Sequence, residues 1–141
     1  MRRSWDIFCT VIDNFGDIGV CWRLAMQLAV EHHQSVRLWV DDLASFASIA
    51  HDIDSQSHRQ RLHDVDICLW QPSAIEDVEP ADVVIEAAGV APAGFDAIAH
   101  LTPNGVCGIL GARNGEGPVP FLDMIRGNHV VFGSVNAHRK A

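Results

Sequence analysis

Apolar positions fall into short unbroken runs separated by helically spaced stretches, and the two patterns alternate along the whole chain. Trp5–Ile12 (WDIFCTVI) reads as a buried first strand. Val20–Glu31 follows with Val20, Leu24 and Leu28 one turn apart, the spacing of a helix face. Val36–Val40 predicts a second strand, after which Asp41 or Asp42 caps a short helix, Leu43–Ala50. Residues 51–64 are polar and rich in His and Asp, and predict a loop or a weak helix. Val65–Trp70 is a third strand, Pro72–Pro80 a turn-rich acidic connection, and Asp82–Ala87 a fourth strand ending in a turn at Gly89. Ala93–Leu101 predicts a helix, Gly105–Leu110 a fifth strand and Gly111–Pro120 a Gly/Pro loop. Phe121–Arg126 predicts a short helix, His129–Ser134 a sixth strand, and Asn136–Ala141 the start of a further helix.

Strands alternating with helices predict an α/β fold: a doubly wound, mostly parallel, Rossmann-like sheet of about six strands with helices on both faces, three layers in all. Length places residues 1–141 in a single domain. Ligands of such sheets bind at the carboxyl ends of the strands. Asp13–Gly19, Ala87–Val90, Leu110–Ala112 and Gly133–Asn136 are thus expected on one rim.

Charge narrows the choice of ligand. The formal net charge is −8, which argues against binding nucleic acid through its phosphates. Residues 1–80 hold thirteen of the acidic side chains against six Arg, so the front half is the acidic one. It suits a basic partner, or simply keeps the protein soluble. Cys9, Cys21, Cys68 and Cys107 form no C-x-x-C pair, which fits reduced thiols in a cytoplasmic setting, with Cys9 and Cys107 in core strands. The His residues lack metal-type spacing, and His32, His33, His51, His58 and His63 lie in polar, solvated stretches, so no metal is expected. Asp6 and Asp13 interrupt the run that an export signal after Arg2-Arg3 would need, and no apolar run is long enough for a membrane span.

Asp13-Asn14-Phe15-Gly16-Asp17-Ile18-Gly19 joins the first strand to the first helix and carries the densest chemistry. A glycine-bearing turn here usually holds a ligand at the helix N-terminus. Two carboxylates, Asp13 and Asp17, are wrong for a pyrophosphate and right for a cationic or proton-giving partner. Such a pair can clamp a guanidinium through charge-assisted hydrogen bonds, or act as general base with electrostatic support. Gly16 and Gly19 allow close backbone approach. Two plainer readings stand beside this. Asp13 and Asn14 are ordinary turn formers, and Asp17 is a fair helix cap. Gly16-x-x-Gly19 matches only the latter part of a dinucleotide fingerprint, with Asn14 where its first Gly belongs. Trp22 and Arg23 follow on the same helix, and core packing is the expected role of Trp22.

WDIFCTVIDNFGDIGVCWRLAMQLAVEH, VRLWVDDLASFASI, VDICLWQP and VEPADVVIEA resemble the start of the bacterial protein-arginine rhamnosyltransferases, the EarP family, over roughly residues 4–87. The resemblance implies an inverting transferase that moves rhamnose from the nucleotide-sugar donor TDP-rhamnose to an arginine of elongation factor P, without a cofactor. It implies catalytic roles for Asp13 and Asp17, and places Asn14, Phe15 and Gly16 beside sugar and acceptor. The donor pocket of that family lies mainly in a second domain. VVIEAAGVAPAGFDAIAHLTPNGVCGILG and GNHVVFGSVNAHRK instead resemble the cofactor domain of medium-chain glucose dehydrogenases, over roughly residues 83–140. That resemblance implies NAD(P) contacts by Ala88, Gly89, Val90, Ser134, Val135 and Asn136. The chain thus reads as a hybrid joined at one shared strand, DVVIEA. A non-catalytic α/β scaffold is the third reading.

Overall fold

The computed structural model describes residues 1–12, 16–71, 78–89, 97–111 and 119–133. Among these residues seven strands form one sheet: β1 Ser4–Cys9, β2 Ser35–Val40, β3 Arg59–Leu62, β4 Val65–Leu69, β5 Ala81–Ala87, β6 Leu101–Ile109 and β7 Val130–Gly133. Their order is β3-β4-β2-β1-β5-β6-β7, parallel throughout except for the antiparallel β3–β4 pair. Among the described residues, α1 spans Gly16–Met26, α2 Leu43–Ile49 and α3 Phe121–Gly127, and residues 97–99 are helical as well. Gln27–Glu31 prolongs α1 as a wider turn, in which the His32 N–H reaches back to the Gln27 carbonyl. The α/β, mostly parallel, Rossmann-like architecture is as the sequence predicts.

Both faces of the sheet are covered, which is why its strands are apolar on both sides. One face carries Ile7, Leu38, Val40, Ile67 and Ile85 against Ile18, Cys21, Trp22 and Ala25 of α1 and Phe46 of α2. Trp22 packs edge-on to Phe46, ring centroids 5.2 Å apart, so it is a core residue. On the other face Phe8, Trp39, Cys68, Val84 and Cys107 meet Ala97, Ile98 and Met124. Asp42 is the cap of α2, accepting from the Ser45 N–H at 3.0 Å. Cys9 and Cys107 are buried, and His32, His33, His51, His58 and His63 are exposed, as expected.

Three expectations need correction. Residues 51–64 are not simply a loop or weak helix: Arg59–Leu62 form β3, raising the strand count to seven. Their alternation of exposed and half-buried positions is that of an edge strand, and a two-residue turn with positive φ at His63 and Asp64 folds them onto β4. The helix expected over Ala93–Leu101 stops by His100, and Leu101 already pairs with Ala81. Finally, β6 starts before Gly105. The stretch Thr102–Gly105 bulges between the Ala81–Leu101 and Val83–Val106 pairs, with Asn104 left-handed at φ 62°. The Asn104 side chain accepts from that of Asn128, the left-handed residue that ends α3, at 2.8 Å.

A buried polar cluster crosses the middle of the sheet. Asp6 on β1 is fully buried and takes a two-pronged hydrogen bond from Arg37 of β2, at 2.5 and 2.7 Å. The Trp39 indole donates to the same carboxylate at 3.2 Å, and His100 Nε2 stands 3.2 Å from its other oxygen. Arg37 also donates to the Glu79 carbonyl, just before β5, so the cluster ties β1 and β2 to the segments that enter β5 and β6.

Candidate functional site

The sheet reverses its winding at β1. From there the chain passes outward to β2 and β4 on one side, then returns to β5 on the other. The carboxyl ends of β1 and β5 lie side by side, Cys9 opposite Ala87. Helices leaving adjacent strands in opposite directions open a crevice at that point. The crevice has a volume of about 350 Å³ and is walled by Asp17, Val20 and Cys21 of α1 and by Ala88, Gly89 and Gly111 beyond β5 and β6.

Asp17 sits in the first turn of α1, where the helix dipole favours negative charge. The Ile12 N–H donates to its Oδ2 at 3.4 Å, turning the carboxylate back toward the end of β1. The neighbouring Val11 N–H donates to Asp41 Oδ1 at 2.9 Å, tying the same segment to the end of β2. Gly19 lies two residues along, with open space where a Cβ would project. Gly16 begins the helix. Asp13, Asn14 and Phe15 lie outside the described residues, as do Val90, Ser134, Val135 and Asn136.

Glu86 lies behind the crevice wall, beneath the Ala88–Gly89 turn, and sequence reasoning missed it. It is 2 % exposed, and its Oε1 accepts the Ala88 and Gly89 N–H groups at 2.8 and 2.9 Å. Gly89 reaches this turn with φ 69°, and a Cβ on Gly111 would stand 2.2 Å from the Gly89 nitrogen. Burial pushes the Glu86 carboxyl above its ordinary range, against the pull of the backbone donors. The backbone amides of this turn are therefore already occupied by a carboxyl group of the protein's own. The sequence signal was available: Glu86 is the single acid at the end of an otherwise apolar strand core, VVIEA. Among the described residues, no group of three or more His, Cys, Asp or Glu is arranged to hold a metal ion.

The comparisons with known proteins divide the chain as its motifs do. Residues 5–101 match the family model described as elongation factor P rhamnosyltransferase EarP. The chain belongs to the EarP family. Over 87 residues it is 54 % identical to a protein-arginine rhamnosyltransferase of Pseudomonas putida, covering 62 % of this chain and 23 % of that protein. Residues 64–141 match a second model, glucose dehydrogenase C-terminus, so this EarP-family chain also belongs to the glucose dehydrogenase family over that stretch. It is 38 % identical over 73 residues to glucose 1-dehydrogenase 1 of Haloterrigena turkmenica, covering 48 % of this chain and 20 % of the enzyme. The crystal structure of glucose dehydrogenase from Haloferax mediterranei superposes with a TM-score of 0.64 at 21 % identity, over 98 % of this chain and 38 % of that one, which shows the shared fold. The EarP-family chain thus spans less than a quarter of the length of these curated relatives. The two family matches overlap over residues 64–101, the stretch that contains β4 and β5. No helix among the described residues is long and apolar enough to cross a membrane.

Proposed function

We propose that the chain carries the acceptor-side half of a protein-arginine rhamnosyltransferase site. The supporting observation is Asp17 at the N-terminus of α1, facing the crevice at the reversal point of the sheet, within the segment matched by the EarP model. The acceptor is an arginine of elongation factor P and the donor is TDP-rhamnose, in the cytoplasm. A guanidinium has a pKa above about 12, so no carboxylate strips it of a proton in the ground state. Asp13 and Asp17 instead bind it, align one nitrogen with the sugar carbon, and accept the proton as the carbon–nitrogen bond forms and the nucleotide leaves. Asn14, Phe15, Gly16 and Gly19 line the path of sugar and acceptor.

Two measurements test this reading. ¹⁵N-labelled protein titrated with unmodified elongation factor P is expected to show saturable amide shifts around residues 13–19. A dispersed spectrum without shifts removes the acceptor site. Asp17→Asn is expected to weaken that binding at least tenfold while leaving the urea midpoint nearly unchanged, because the side chain is only half-buried. Equal affinity in both proteins rejects the role of Asp17.

The second reading, an NAD(P)-binding fragment, draws on the second family match and the dehydrogenase fold. Its contacts would be Ala88, Gly89, Val90, Ser134, Val135 and Asn136. These residues would meet the nicotinamide end of the cofactor, and the Ala88 and Gly89 amides there are already taken up by Glu86. Fluorescence titration with NADPH decides it, and absence of saturable binding at millimolar cofactor leaves the transferase reading, or a bare scaffold.

A further inference from the structure

Asp41 and Asp42 follow β2 directly and do different things. Asp42 spends both carboxylate oxygens on Ser45, accepting from its N–H at 3.0 Å and from its hydroxyl at 2.6 Å, and so caps α2. The Asp41 carboxylate reaches across to the neighbouring strand instead and accepts the Val11 N–H at 2.9 Å. The pairing of β1 with β2 ends at Cys9 and Val40, so this bond takes up an amide that lies beyond the last pair of the ladder. Asp41 is held in place from both sides. Val40 before it lies in the sheet and accepts the Trp70 N–H at 2.8 Å, and Asp42 after it is fixed to α2.

The next amide along the chain is that of Ile12, which donates to Asp17 Oδ2 at 3.4 Å. Ile12 and Asp17 both wall the crevice. A hydrogen bond of that length is near the limit of the interaction, so a small displacement of Ile12 breaks it. The position of Ile12 follows from that of Val11, one rigid peptide plane away. Contacts therefore run from Asp41 through Val11 and Ile12 to Asp17. Asp41 does not wall the crevice, so its influence passes through the backbone and not through a ligand.

We propose that Asp41 is a positioning residue for the Asp17 carboxylate: it fixes the exit of β1, and the exit of β1 orients the acid of the crevice. Small displacements of an aligned group are costly to function even when their cause lies outside the site. The effect of Asp41 on acceptor binding rests on the transferase reading, whereas its hold on Asp17 does not.

Asp41→Ala removes the acceptor of the Val11 N–H, and Asp41→Asn keeps an oxygen there without the charge. Asp41 is exposed, so both variants are expected to fold, which their urea midpoints check. Two readouts follow in ¹⁵N-labelled protein. The first is the Ile12 amide shift as pH is lowered through the carboxylate range, with Asp17→Asn as the control that assigns the movement to Asp17. The second is affinity for unmodified elongation factor P. Wild type and Asp41→Asn are expected to show the Ile12 movement and to bind alike. Asp41→Ala is expected to lose the movement and to bind at least about fivefold more weakly. An Asp41→Ala protein that keeps both, or an Asp41→Asn protein as impaired as Asp41→Ala, would overturn the proposal. So would a wild-type Ile12 amide that does not respond to Asp17. Failure of the wild type to bind elongation factor P would sink the acceptor reading instead, and the Ile12 movement alone then decides for or against Asp41.

Discussion

Glu86 shows how one side chain can govern a turn. Its carboxylate fixes the Ala88 and Gly89 amides, and Gly111 must be glycine because any Cβ there meets the Gly89 backbone. Its raised pKa has a testable consequence for stability. An acid whose folded value lies above its ordinary value binds its proton more tightly in the folded state. Folding therefore takes up a proton in the window between about 4.5 and the raised value. The stability contribution of Glu86 falls as pH climbs through that window and is flat above it. Urea midpoints measured from pH 4.5 upward are expected to show wild type losing stability relative to Glu86→Gln, by at most about 1.4 kcal/mol per pH unit. Identical pH profiles would mean that burial leaves this carboxyl unshifted.

At the level of elements, the Asp6–Arg37–Trp39–His100 cluster joins β1 and β2 to the segment entering β6. Removing one partner from a buried ion pair leaves the other uncompensated. Asp6→Asn is expected to cost about 3–5 kcal/mol of unfolding free energy, because the Arg37 side chain is only 18 % exposed. A loss below about 1 kcal/mol in urea unfolding would show that water solvates Arg37 once its partner is gone. Nothing in the sequence pairs Asp6 with His100, since the contact spans most of the chain. The central strands, by contrast, are legible, because each is an apolar run bounded by turn residues. β3 was hidden because Arg-Gln-Arg-Leu is an edge strand with little apolar signal. The start of β6 was hidden because Thr-Pro-Asn-Gly reads as a turn and is in fact a bulge inside a strand. In the site, Asp17 was legible from the strand–turn–helix pattern. The part Glu86 plays required the fold to bring the end of β5 beside the end of β1.

Over the whole molecule, β5 is the strand on which everything depends. It pairs with β1 through Trp5–Val83 to Cys9–Ala87, and with β6 through Val83–Val106 to Glu86–Ile109. The four Trp residues, at positions 5, 22, 39 and 70, all precede it in sequence, but Trp39 and Trp70 pack in the cluster with Ala97, Ile98 and Leu101, so tryptophan fluorescence senses both halves. Circular dichroism reports on both halves. The two probes are expected to give coincident urea transitions, since neither half can separate without stripping β5 of a complete row of backbone partners. Two separated transitions would mean that the two halves unfold independently. The geometry of β5 has a meaning for gene architecture as well. Its neighbours run in the same direction on either side. Two coding sequences recombined within this strand would keep chain direction, spacing and winding, which makes it a natural crossover site for assembling chimeric α/β proteins.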